Sequence, residues 1–126
     1  MIETNIYAIL TGSTEVTDLV STNIFNHHLP DNFDLDEDAL VFIVNKDEGL
    51  SSLDAKDELE FHTLRIIVVG ADTLEIEAVV SAVEDVLNEY SDDNVRDCTT
   101  TSISPTLDAE KDRYIKEITF NIIYNE

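Results

Sequence analysis

The sequence predicts an α+β domain: a mostly antiparallel four-stranded sheet packed against one long helix and an N-terminal helix. Three observations lead there. Apolar residues recur at intervals of three and four over "DTLEIEAVVSAVEDVLNEY" (72–90), the period of a helix with one buried face. They run together or alternate in "ALVFIVN" (39–45), "LEFHTLRIIVVG" (59–70), "VRDCTTTSIS" (95–104) and "RYIKEITFNIIY" (113–124), the habit of strands. The resulting order of helix, strand, strand, helix, strand, strand lets consecutive strands pair antiparallel and leaves the helices to cover the sheet. With 126 residues, 43% of them apolar, the chain has material for one core, so 1–126 reads as a single domain.

Each element follows from local chemistry. Ile2, Ile6, Ile9 and Leu10 stand at helical spacing, and Gly12 is placed to end that first helix. Val16, Leu19 and Val20 share one side of a short second helical segment, with Ser13 and Thr14 as available caps. The stretch "TNIFNHHLPDNFDLDEDA" (22–39) reads as a surface connection, because Pro30 cannot join a hydrogen-bond ladder. "ALVFIVN" is dense in β-branched and aromatic residues and reads as a strand covered on both faces. "KDEGLSSLDAKDE" (46–58) is polar, so the first two strands form a hairpin with a long acidic tip. Asp72 and Glu75 have the spacing of a capping box. In the helix they start, Ile76, Val79, Val80, Val83, Val86, Leu87 and Tyr90 turn to the core, and Glu77, Ser81, Glu84, Asp85 and Asn88 form the solvated face. "SDDN" (91–94) is a turn, and a loop containing Pro105 joins the last two strands. In the closing strand Ile118, Phe120, Ile122 and Tyr124 share a face, and the chain has no internal repeat.

Residues that could carry chemistry are few. Asp34, Asp36 and Asp38 match the first, third and fifth ligand positions of a calcium loop, but the sixth position is Ala39 where a Gly is needed and the twelfth is Asn45 where a bidentate Glu is needed. A solvated acidic connection accounts for the stretch better. His27 and His28 are adjacent and therefore diverge on any regular element, and with His62 they make only a weak case for metal binding. Cys98 is the sole cysteine, which excludes an intrachain disulfide; with no His or basic run beside it, it reads as a buried, inert thiol. No nucleophile elbow, phosphate-binding loop, dinucleotide fingerprint or zinc-protease motif occurs, and carboxylates are too numerous for any pair to signal acid–base catalysis. The expectation is a protein that is not an enzyme and uses no cofactor. The amino terminus lacks a basic start followed by a long apolar core, and no span nears the ~20 apolar residues of a membrane helix. A soluble protein made in the cytoplasm is expected.

Charge is the strongest compositional signal. Twenty-eight acidic side chains stand against 7 basic ones, a formal net charge of −21. The regular apolar runs exclude disorder, so the acids must coat a folded domain. No Lys or Arg precedes Lys46, whereas Arg96, Lys111, Arg113 and Lys116 gather in the last third. Such a balance repels nucleic-acid phosphates and anionic membrane, which leaves assembly or adaptor roles.

The order of parts resembles the tail terminator family of long-tailed viruses, also called tail completion or head–tail joining proteins. "IYAILTGSTEVTDLVSTNIFNHHLP" is similar to that family's opening helix, short apolar turn, Ile-aromatic step and Pro, and "ALVFIV" to its first strand. "LEFHTLRIIVVGADTLEIEAVVSAVEDVLNEY" is similar to its long strand running into the main helix, and "RYIKEITFNIIY" to its closing strand. The resemblance implies a hexameric ring at the tail–neck junction of a virion. Such a ring caps the tail tube, ends its polymerisation, and meets a neck or head-completion protein. Genomic DNA passes through it without specific binding.

A closed ring needs head-to-tail contacts. The charge polarity suggests that Asp31, Asp34, Asp36 and Asp38 of one subunit face Lys111, Arg113 and Lys116 of the next. The acidic tip, with Asp47, Glu48, Asp54 and Asp57, is expected to face the lumen or the tail tube. Excess acid has two explanations: a carboxylate-lined lumen that DNA does not stick to, or adaptation to a salty host cytoplasm. The spread of Asp and Glu over every loop and the scarcity of Lys favour the second, hence a virus of a halophilic archaeon. The same composition would also suit a small acidic module that binds a basic partner, as an inhibitor or nucleic-acid mimic does. A hydrolase using paired carboxylates is a weaker third case.

Overall fold

Ile2, Ile6 and Leu10 lie on one stripe of helix α1 (Ile2–Thr11), and all three are buried. They set the first layer of the computed structural model, which describes residues 1–31, 33, 37–47, 59–109 and 113–125. Helix α2 (Thr14–Val20) starts where the Ser13 hydroxyl accepts a hydrogen bond from the Val16 amide at 3.4 Å. Val16 and Val20 are buried, but Leu19 is 39% exposed, so the expected three-residue apolar side is only two residues wide.

The main helix, α3 (Thr73–Leu87), buries Ile76, Val79, Val80, Ala82, Val83 and Leu87, while Val86 and Tyr90 are only half-buried. Asp72 caps it: its Oδ1 accepts from the Leu74 amide at 2.8 Å. Glu75, the expected other half of a capping box, turns to Asp38 instead. At the far end Asn88 leaves the helix, and its Oδ1 accepts from the Thr100 amide at 3.0 Å, tying the helix to the edge of the sheet.

The sheet holds six strands among the described residues, where four were expected. In chain order they are β1 (Ile24–Asn26), β2 (Ala39–Lys46), β3 (Leu59–Gly70), β4 (Val95–Ile103), β5 (Leu107–Ala109) and β6 (Arg113–Asn125). Their spatial order is β1-β2-β3-β6-β4, with β5 also on β6. The four predicted strands are β2, β3, β4 and β6, and β2–β3 pair antiparallel as the predicted hairpin does. The two additions are three residues each, too short for any alternation to register. β1 runs parallel to β2, which makes the sheet mixed. β5 continues the edge begun by β4 after a break at Ser104–Thr106; β6 is 13 residues long and serves both.

Along β2, β3 and β6 the register is unbroken, so side chains alternate cleanly between two faces. Leu40, Phe42, Leu64, Ile66, Ile118 and Phe120 point to the helices and are at most 1% exposed. Among the described residues no helix covers the other face. β2 was expected to be covered on both sides, yet on that second side Ala39 and Val41 are buried, Ile43 is half-buried and Asn45 is exposed.

Candidate assembly surface

The uncovered face is built from the alternate positions of the three central strands. Val41 and Ile43 come from β2, Phe61, Thr63, Arg65, Ile67 and Val69 from β3, and Ile115, Glu117, Thr119, Asn121 and Ile123 from β6. Most are half-buried. Its ionisable side chains on these strands are Arg65, Glu117 and Arg113, two positive and one negative, in a chain whose net charge is −21. Asp97 of β4, in register with Ile123, and Asp47 add two carboxylates at one end, so only the centre of the face is poor in charge. Depletion of charge is the compositional mark of the centre of a protein–protein contact.

Two of the three charges neutralise each other. Arg65 Nε donates to Glu117 Oε1 at 2.5 Å, a diagonal cross-strand pair. The Glu117 carboxylate holds the Arg65 guanidinium above its ordinary pKa. Arg113 lies at one end of the face, where Phe33 arrives from the connection between β1 and β2. The Phe33 ring meets Phe25 edge-on, with centroids 5.8 Å apart, and the Arg113 guanidinium sits 6.0 Å from the Phe33 centroid. Nε and Nη2 of Arg113 are shut off from water, and neither has a hydrogen-bond partner among the described residues. At the opposite end the face opens into a hollow of ≈ 310 Å³ walled by Asp47, Phe61, Thr63, Asp97, Thr99 and Asn121.

The sequence-predicted contact residues fall on several sites. Asp31 is exposed, and Phe33, two residues on, meets Arg113 within the same chain. Lys116 points to the helix side, where its Nζ donates to Glu77 Oε1 at 2.8 Å; the same oxygen accepts from Thr106 Oγ1, and both bonds hold the Glu77 carboxyl below its ordinary pKa. Asp38 also lies on the helix side. Its backbone carbonyl accepts from Asn23 Nδ2 at 3.1 Å, and its Oδ1 is buried with no hydrogen-bond partner among the described residues. Burial and the neighbouring Glu75 and Asp72 carboxylates push its pKa up to about 6. Asp47 is exposed at the end of β2. Asp34, Asp36, Lys111, Glu48, Asp54 and Asp57 lie outside the described residues.

The histidines and the cysteine separate in space. His62 is 7% exposed on the helix side of β3, within 3.1 Å of Glu60 Oε1 and edge-on to the Tyr124 ring, whereas His27 follows β1 with φ 75°. Among the described residues no three His, Cys, Asp or Glu side chains converge on a common point. Cys98 is fully buried, and burial, with Asp97 beside it, pushes its thiol up to about 12. Among the described residues no helix is long and apolar enough to cross a membrane. This face was not singled out from the sequence. Its signal was present in "LEFHTLRIIVVG" and "RYIKEITFNIIY", where counting charges by alternate positions isolates Arg65, Arg113 and Glu117.

No family model matches the chain, and no curated protein does. Among solved structures, it superposes on a chain from the virion of a native gene transfer agent particle with a TM-score of 0.71 at 17% identity, covering 96% of this chain and 92% of that one. The fold is therefore shared almost end to end. A crystal structure from Akkermansia muciniphila overlaps 68% of this chain and 41% of that one, at 17% identity and a TM-score of 0.38, which is too little to bear on the fold.

Proposed function

We propose that the chain is a structural subunit of a tailed particle, acting as a tail terminator: a hexameric ring that caps the tail tube, ends its growth and joins it to the neck. The observation that carries this is the end-to-end likeness to a chain of a gene transfer agent virion, at matched length on both sides. The order of elements supports the terminator assignment within that class. A sheet face rich in aliphatic side chains, over which no helix lies among the described residues, supports assembly, since a ring subunit must offer two surfaces that other copies or tail components can cover.

In this role the ring contacts the tail tube protein below and a neck or head-completion protein above, and DNA passes through the lumen. The work is adhesion and shape, so neither a catalytic residue nor a cofactor is called for. The acidic coat fits a halophilic host: at about 1 M salt the Debye length is ~3 Å, and self-repulsion among carboxylates is tolerable. Imaging of intact particles, with this chain tagged, tests the proposal. Ring density at the tail–neck junction is expected; the protein in the capsid shell, or absent from particles, would overturn it.

A further inference from the structure

We infer that the hollow at the acidic end of the uncovered sheet face takes a basic segment of another particle protein, whose lysine or arginine side chain lies across Phe61 with its charged head against Asp97 or Asp47. The inference rests on the assembly role above and names the chemistry of one partner.

Strand register builds the hollow. Across β3, β6 and β4, Thr63, Asn121 and Thr99 stand side by side, and in the next row Phe61 and Ile123 lead to Asp97. Just past β2 the Asp47 amide donates to the Phe61 carbonyl at 2.7 Å, so Asp47 closes that row on its other side. The two carboxylates therefore flank a half-buried apolar floor, and with the polar row beside it they enclose ≈ 310 Å³. The Thr99 hydroxyl donates to Asp97 Oδ2 at 3.2 Å, which steadies that carboxylate at the rim.

Charge complementarity selects the occupant. Among the described residues, Asp47 and Asp97 line the hollow and no lysine or arginine does. A long cationic side chain suits each part of it. Its methylene stem can lie on Phe61 and Ile123, its head can donate to a carboxylate and to the oxygens of Thr63, Thr99 and Asn121, and the Phe61 ring face attracts the cation. A second copy of this chain does not supply that cation readily: Lys46, Arg65 and Lys116 each bond to a glutamate of their own subunit, and two chains of net charge −21 repel. The same charge drives off a nucleic-acid backbone and draws in a basic protein segment. Beyond the hollow the aliphatic centre of the face continues, so the rest of the segment has apolar surface to cover.

The test is an amide NMR titration of the full chain with N-acetyl-arginine amide, against the neutral isostere N-acetyl-citrulline amide, at the lowest salt at which thermal melts show every variant folded. Saturable shifts confined to residues 47, 61–63, 97–99 and 121–123 are expected with the arginine probe, and none with the citrulline probe. Asp47→Asn and Asp97→Asn should each raise the dissociation constant about threefold, and the double variant should show no saturable shift. Asp85→Asn, on the solvated side of α3, and Lys56→Gln should bind as the wild type does. Shifts spread over the whole acidic surface, equal shifts with citrulline, or affinity unchanged in the folded double variant would overturn the inference. So would tighter binding by Lys56→Gln, which would assign the hollow to this chain's own lysine. Each of these results leaves the ring assignment to particle imaging.

Discussion

Replacing Asp38 by Asn should stabilise the protein at neutral pH, and the gain should vanish in acid. Asp38 precedes β2 with its Oδ1 buried, lacking a hydrogen-bond partner among the described residues, and faces Glu75 and Asp72. Burial first, then the neighbouring carboxylates, raise its pKa from 3.8 to about 6. The folded chain therefore takes up this proton before the unfolded chain does. As pH rises from about 4 to about 6, the unfolded state binds fewer protons than the folded state at this site, and stability falls. Above about 6 the whole penalty is present. Two units correspond to at most about 3 kcal/mol, and because the residue is part-exposed, solvent screening reduces this to about 1 kcal/mol. Asn keeps the shape, removes the charge and can donate to Glu75. At pH 7 and fixed salt the variant should melt about 3–6 °C higher. At pH 4 the two proteins should coincide. Glu60, Glu77 and Asp92, whose pKa values are lowered, contribute in the opposite direction, but they are common to both proteins and cancel in the difference. A difference that is flat with pH, or an Asn variant less stable at pH 7, would refute the account of this carboxyl.

Other perturbations address the packing and the charge. Thermal melts from low to molar salt should show a rising melting temperature, because screening relieves self-repulsion at a net charge of −21; a flat or falling trend would remove the halophile argument. Gly70→Ala should cost about 1–3 kcal/mol, since its Cβ would stand 2.3 Å from Asp38 Oδ1 and 3.3 Å from Ile76 Cγ1, and chemical denaturation should show the cost shrink when Asp38 is also Ala. Cys98 should resist thiol reagents in the native state at pH 8 and react only at the rate of unfolding, as a fully buried thiol with its pKa pushed up to about 12 must.

How far the fold was legible depended on how many residues each element gave to its pattern. Over 15 residues α3 repeats its apolar stripe four times, and the long strands β3 and β6 alternate for a dozen positions, so all three could be read from spacing alone. β1 offered only Ile24 and Phe25, within a stretch whose Pro30 and acids spoke for a loop. Its place in the sheet comes from a long-range parallel pairing that no local pattern encodes. β5 is hidden for the same reason, behind Pro105. The predicted contact residues were chosen by charge along the chain, a coordinate that folding scrambles. Lys116 and Arg113 are three apart in sequence and lie on opposite faces of β6, one bonded to Glu77 on the helix side and the other beside the Phe33 ring.

That separation bears on how an acidic subunit can assemble at all. An exposed ion pair contributes only ~0.2–1 kcal/mol, and less when salt is high, so opposite charges spread over loops could not hold a ring together in a salty cytoplasm. A desolvated fork on a carboxylate is screened far less, and apolar burial is strengthened by salts that are excluded from protein surfaces. Among the described residues the uncovered face offers the second of these terms, aliphatic side chains from β2, β3 and β6, and a contact made there would strengthen rather than weaken as salt rises.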